Sequence, residues 1–189
     1  GQTLIDVQTT LPKVTFGKPE SPLKIVMFHS LNCGHCKEIK EQIVPKIKEQ
    51  FIDKGLVNLT MIDFPTNPQA LNAAKVAWES RDVTTYEKIS EALVADDEMW
   101  GKPDDTSEQI CKVLTDRHLM TEIDCQQGLN DEMLGKEILR PVFELGKNHK
   151  IDYAPAFLFN GKLKENSSIL TIADIENELK KLQVNMENG

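Results

Sequence analysis

The apolar run LKIVMFH at positions 23–29 leads through Ser30, Leu31 and Asn32 into Cys33-Gly34-His35-Cys36, and the charged, periodic segment KEIKEQIVPKIKEQF follows at once. A short continuous run of β-forming residues predicts a buried strand. Ile39, Ile43, Val44, Ile47 and Phe51 then fall on one helical face with Lys and Glu on the other, which predicts a helix from near Cys33 to about Gly55. Pro45 interrupts that pattern; it removes one backbone donor and predicts a kink. VNLTMIDF at 57–64, closed by Pro65 and Pro68, predicts a second strand. Strand, helix and strand over this length make a βαβ unit, whose strands are expected to be parallel and whose connection is expected to be right-handed.

From Gln69 to about Lys150 the pattern is helical. ALNAAKVAWES is a good helix former, Thr84-Thr85-Tyr86-Glu87 offers a start for YEKISEALVA, and Thr106-Ser107-Glu108-Gln109 has the form of a capping box before QICKVLTDRHL. A long helix is expected from Asn130 or Asp131 through MLGKEILRPVFELGKN, with Pro141 in its path. β character returns at YAPAFLFNG, positions 153–161: Ala156 to Phe159 predicts a strand, Asn160-Gly161 a tight hairpin, and LKENSSI the returning strand. TIADIENELKKLQ closes the chain as an amphipathic helix with Ile172, Ile175, Leu179 and Leu182 inward. The expected class is therefore α/β, one sheet domain (1–65 and 150–189) interrupted by an all-helical insertion (66–149).

With 189 residues, 40% of them hydrophobic, the chain can bury a core without disulfides. A net charge of −8 and the lack of a Lys/Arg-rich block argue against nucleic acid as a partner, because phosphates need cationic contacts. No apolar run approaches the roughly 20 residues that span a bilayer. The stretch GQTLIDVQTT lacks the basic and apolar regions of a signal peptide, so the chain is expected to be soluble or the processed form of an exported protein.

Two cysteines with two residues between them can be half of a zinc site, a structural disulfide or a redox pair. Zinc needs three or four ligands, and beyond Cys33, Cys36 and His35 no second cluster completes a site, so no metal is expected. Copper capture by the two thiolates is a further reading of the same atoms. A structural disulfide across two residues saves little chain entropy. The redox reading rests on position: a cysteine in the first turn of a helix meets unpaired amides and the positive end of the dipole, which favour its thiolate. His35 adds to that as a cation or a donor. Such thiols titrate at roughly 3.5 to 7, against about 8.5 for a free cysteine. A stabilised thiolate leaves easily, which makes the Cys33–Cys36 disulfide readily reduced by substrate thiols. Cys36, one turn further in, is expected to be the buried partner.

Cys111 and Cys125 are read as a structural disulfide, since closing a loop of that length is worth roughly 3 kcal/mol in the chain-entropy model. Free, separately buried thiols and a second redox relay are the alternatives. His29 is read as a strand-end residue packing beside the pair, His118 and His149 as solvated helix-end residues, and Trp78, Trp100 and Phe64 as packing.

In these features the sequence resembles the DsbA-like branch of the thioredoxin superfamily: a strand, CGHC at a helix start, a second strand, a helical insertion, then YAPAFLFNG and a last helix, over essentially the whole chain. The resemblance implies a thioredoxin fold with the helical insertion between its βαβ unit and its C-terminal ββα unit. It implies Cys33 as nucleophile, Cys36 as resolving cysteine, and a cis bond from Ala154 to Pro155 in a loop that meets substrate. Gly34 and His35 complete the active-site loop. No cofactor is expected beyond the redox-active disulfide itself. The implied partners are unfolded or reduced proteins and a membrane or soluble redox protein that recycles the pair, in the periplasm or another exported location. Three departures stand out. Met27 occupies the position, six before Cys33, where many relatives carry an acid that helps proton transfer, and Asp63 and His29 are the candidates to replace it. Gly-His is the dipeptide of disulfide isomerases, where the best-known oxidases of the branch have Pro-His. Ala154 is smaller than the residue common before the proline. Introduction of disulfides is the leading expectation. Isomerase or reductase action by the same pair, and a non-redox chaperone or metal-binding module, are the alternatives.

Overall fold

A computed structural model describes residues 12–165 and 168–184. The segment GQTLIDVQTT, together with Asn166 and Ser167 of the expected returning strand, lies outside them. The sheet has five strands in the order β1-β3-β2-β4-β5. β2 (Leu23–His29) and β3 (Val57–Asp63) are parallel neighbours, Met27 opposite Met61 and His29 opposite Asp63. β1 (Val14–Phe16) runs antiparallel on the far side of β3, and β4 (Ala156–Phe159) antiparallel on the other side of β2. β5 (Lys162–Leu163) is the outer edge.

Both faces of the central strands are covered, which is why they read as nearly continuous apolar runs. Leu23, Ile25 and Met27 alternate inward with Val57, Leu59 and Met61 toward Cys36, Ile39, Ile47 and the last helix. Val26, Phe28 and Ile62 point the other way, against Phe64, Leu145 and Ile151. Each such side chain contributes about 1.5–3 kcal/mol by leaving water. β1 had no signal in the sequence: three residues between Pro12 and Gly17 are too few to show a period. Gly17, at φ +96°, allows its close approach, because a Cβ there would sit 2.6 Å from the Val57 carbonyl oxygen.

The helix after the cysteine pair is segmented rather than continuous. α1 spans Gly34–Gln42, α2 Val44–Ile47, and a wide turn follows over Lys48–Ile52 with the Asp53 amide bonded back to Lys48. Pro45 has no N–H to donate one turn back to Glu41, and its ring crowds that carbonyl, so α1 ends and α2 begins at Ile43, which still donates to Ile39 and accepts from Ile47.

Between β3 and β4 the described chain forms helices only: α3 (Pro68–Trp78), α4 (Val83–Ala95), α5 (Asp97–Trp100), α6 (Ser107–Asp116), α7 (Glu122–Leu129) and α8 (Glu132–His149). All but α5 have starts fixed by side-chain caps from Asn67, Asp82, Thr121 and Asp131, or by the Thr106–Gln109 capping box. α4 begins one residue before the Thr84 expected from sequence, because Asp82 rather than a threonine supplies the cap. α5 and α7 were not visible in the sequence. Cys111 of α6 and Cys125 of α7 are joined at a Cα–Cα distance of 5.8 Å inside the apolar cluster of this region. α9 (Ile172–Lys181) closes the fold, with Ile175 and Leu179 buried under the sheet; Leu182, expected inward, lies past its end and is 40% exposed.

Candidate active site

Cys33 is the N-cap residue of α1, with extended backbone, and its sulfur accepts the Cys36 amide at 3.2 Å. Its thiol also reaches the Ala154 carbonyl oxygen at 3.6 Å, and the Ala154–Pro155 peptide bond is cis. Gly34 and His35 lie on the exposed outer side, and His35 Nδ1 stands 3.7 Å from Glu38 Oε2. Cys36 is buried beneath them. The loop before Cys33 is held from the helical region: Asn32 Nδ2 donates to Asn67 Oδ1 at 2.9 Å and to the Gly101 carbonyl at 3.2 Å. Lys37, on α1, meets Asp97 of α5 at 3.4 Å.

The two thiols, free in this structure, are electrostatically unequal. The Cys33 thiol is lowered to about 6, first by the hydrogen bond from the Cys36 thiol and then, against the opposing effect of burial, by the Cys36 and His35 amides and the charge of His35. The Cys36 thiol is raised, because it gives its proton's hydrogen bond to Cys33, is buried, and would ionise beside an existing thiolate. The Ser30 amide, directed at the Cys36 sulfur, opposes that rise only in part. A half-buried thiolate above a buried, protonated thiol is the arrangement that thiol–disulfide exchange needs: one sulfur attacks or is attacked, and the other waits.

Met27 is completely buried between Met61 and Phe157, so the inner face of β2 offers no acid at that position. Asp63 is buried at the end of β3 and accepts hydrogen bonds from Trp78 Nε1 and the Tyr86 hydroxyl, both at 2.8 Å and both on the same oxygen. Trp78 therefore does more than pack; its ring also stacks on Tyr86 at 3.9 Å. His29 is buried at the end of β2 with Nε2 lacking a hydrogen-bond partner. Burial lowers its pKa; Asp63 pulls it up and Lys40 pushes it down. Lys40 was not singled out in the sequence, although its place one turn after Cys36 was an available signal; Tyr86 carried none. Among the described residues no group of three or more His, Cys, Asp or Glu is placed to hold a metal ion.

A parallel βαβ unit, a β-hairpin and a closing helix, with paired cysteines of opposite ionisation at the N-terminus of the first helix, define a thioredoxin-type protein thiol–disulfide oxidoreductase. The family model described as Thioredoxin matches residues 9–179, and the chain belongs to that family. The chain is 28% identical over 177 residues to a Bacillus anthracis protein named "Probable disulfide bond formation protein D", covering 88% of this chain and 78% of that one. The fold is shared with solved structures. Wolbachia pipientis alpha-DsbA1 is 21% identical with a TM-score of 0.69, covering 90% of each chain. Oxidised BdbD from Bacillus subtilis is 20% identical with a TM-score of 0.68, covering 92% of this chain and 94% of that one.

Proposed function

We propose that this oxidoreductase introduces disulfides into reduced, unfolded proteins outside the reducing cytosol, with Cys33 as the sulfur that substrate thiolates attack and Cys36 as the resolving cysteine. The observation that carries this reading is the Cys33 thiol held near 6. A thiolate stabilised in the reduced enzyme makes the enzyme disulfide the stronger oxidant, so electrons run from substrate thiols into the pair. Oxidation of substrate forms one substrate disulfide and leaves Cys33 and Cys36 reduced, after which a membrane or soluble redox partner must take the two electrons. The pair itself is the electron carrier and no further cofactor enters. The Cys111–Cys125 disulfide supports an exported, oxidising location such as a periplasm. Among the described residues, no helix is long and apolar enough to cross a membrane.

Equilibration of the pair against glutathione buffers tests the proposal. A potential well above that of thioredoxin, roughly −270 mV, is expected, with loss of oxidation of a reduced model protein in Cys33→Ser. The second reading, disulfide isomerisation or reduction by the same pair, is favoured by the Gly34-His35 dipeptide. It takes over if the potential is low and scrambled-protein refolding outpaces oxidation. Full activity in Cys33→Ser would instead leave a chaperone or metal-binding module on a redox fold.

A further inference from the structure

Cys33 follows β2, and the strand order β3-β2-β4 gives it two different flanks at the same end of the sheet. Ala154, at the entry to β4, lies on one of them. On the other, past the end of β3, a cavity of about 390 Å³ opens between the loop before Cys33, the start of α3 and the start of α6. In parallel α/β sheets ligands bind in the crevice beyond the carboxyl ends of the strands, and this volume falls in the range of ligand sites. Asn32, the residue before Cys33, forms the near wall. It is pinned there by its reciprocal amide bonds with Asn67 and its bond to the Gly101 carbonyl. Gly101 has no room for a side chain, since a Cβ would stand 3.1 Å from Asn32 Cβ and 2.7 Å from the Asp97 carbonyl oxygen.

The cavity presents acceptors. Gln69, in its lining, is 7% exposed, and its Nε2 donates to the carbonyls of Trp100 at 2.6 Å and Thr106 at 3.1 Å. Two carbonyl oxygens can be met only by the NH2 group, so the amide is fixed in one orientation and Oε1 is left without a partner among the described residues. Asn72, one turn further along α3, lines the same space, and its carboxamide is likewise without a partner among the described residues. Asp105 accepts from the Lys102 amide at 2.8 Å and from Gln109 Nε2 at 3.0 Å, one bond on each oxygen, so each oxygen keeps a free lone pair. No lysine, arginine or histidine is among the described residues of the lining. Exposed Asp104 and Glu108, next in sequence to Asp105 and Ser107, add further negative charge.

Open acceptors and a carboxylate with no counter-cation call for a ligand that brings donors and positive charge. We propose that, on the redox reading of the Cys33–Cys36 pair, this cavity is a specificity subsite for a cationic side chain, arginine before lysine, of the reduced protein whose cysteine engages Cys33. A guanidinium has five N–H donors spread in a plane, enough to meet Gln69, Asn72 and Asp105 together, whereas an ammonium has three around one point. The pair then favours cysteines with a basic neighbour in the unfolded chain. That choice is made on the β3 side of Cys33, away from the main-chain contact at Ala154.

The test is reduction of the oxidised full chain by capped single-cysteine peptides of glycine and serine. Each carries one arginine, glutamine or glutamate within about four residues of the cysteine on either side, since a residue spans roughly 3.5 Å. The peptide thiolate attacks Cys33 Sγ, Cys36 departs with the electron pair of the broken bond and takes up a proton, and a second peptide thiol releases the first as a peptide disulfide. The fraction of reduced chain after acid quenching gives the rate, and each rate is divided by that with neutral dithiothreitol, which cancels any general effect of a variant on the pair. At the position that reaches the cavity, arginine should outpace glutamine about tenfold, the size of one hydrogen bond to a charged group, and glutamate should be slowest. Asp105→Asn should cut the arginine-to-glutamine ratio severalfold. Asn72→Lys, at a half-buried helix position, puts a cation into the cavity and should reverse the order of arginine and glutamate, whether or not Asp105→Asn folds. Equal rates for the three peptides, an arginine preference equal at every position, or one that survives Asn72→Lys would overturn the proposal. A parental chain reduced by none of the peptides, nor by dithiothreitol, would instead refute the redox reading beneath it.

Discussion

Cys33 Sγ lies 3.6 Å from the carbonyl oxygen of Ala154, a residue 121 positions later in the chain. The contact joins the helix start to the loop entering β4, so the Cys33 sulfur sits against main chain as well as against α1. A thiol donates to that carbonyl; a thiolate or a mixed disulfide cannot. Once Cys33 has ionised or reacted, that acceptor is left open, and on the proposed function an amide of the substrate strand fills it. A cysteine peptide N-methylated at the amide beside its cysteine should therefore form the mixed disulfide with Cys36→Ala about fivefold less favourably than its parent, the size of one hydrogen bond of about 1 kcal/mol. Equal affinities would place substrate main chain elsewhere.

The two contributions to the Cys33 thiolate separate by mutation. The Cys36 thiol is the larger and the His35 charge the smaller, while the His35 amide survives any side-chain change. Cys36→Ala should raise the Cys33 titration, followed by thiolate absorbance, by more than His35→Gln does. The reverse order would make His35 the main determinant.

The same ionisation makes the reduced protein's stability depend on pH. Cys33 titrates near 6 when folded and near 8.5 when unfolded, so the folded state binds fewer protons between those values. The thiolate's contribution is fully present above about 8.5 and is lost as the pH falls through about 6. The disulfide form has no such group. The melting temperature of the reduced chain minus that of the oxidised chain should rise from pH 5 to 8.5, and Cys33→Ser should flatten the rise in the dithiothreitol-treated protein.

Loss of the Cys111–Cys125 bond should cost roughly 3 kcal/mol in urea unfolding, from the loop it closes. In the double alanine variant the Cys33 titration should stay where it is, because that bond lies between α6 and α7, away from the helix that carries Cys33. A shifted titration would show the helical region acting on the active cysteine.

Tyr86→Phe leaves the buried Asp63 with one of its two short donors on that oxygen. A hydrogen bond to a charged acceptor is worth about 1.5–3 kcal/mol, and thermal or urea unfolding should show a loss in that range.

Local signals made much of the fold readable. Asn160 and Gly161 both take positive φ, as a two-residue hairpin needs, and the Thr106–Gln109 box forms as its spacing implies. Cys33 was legible as a helix start because strand period and helix period meet there. What stayed hidden depends on register. That His29 faces Asp63, and that Trp78 and Tyr86 converge on one oxygen, follow from how β2, β3 and two helices are stacked, and no spacing within a single element encodes it. β1 escaped notice for its brevity. The segmentation of α1 and α2 followed from Pro45, but the wide turn after it came from how the chain regains the sheet.

On the proposed function, the sulfur that caps α1 is also the sulfur that reacts. A helix end finished by serine or threonine keeps its cap through any chemistry nearby, whereas here each covalent bond made by Cys33 takes an acceptor away from the Cys36 amide or bends it off line. If Cys33 is the reacting sulfur, the first turn of α1 is the part of the backbone whose cap depends on the oxidation state of the pair.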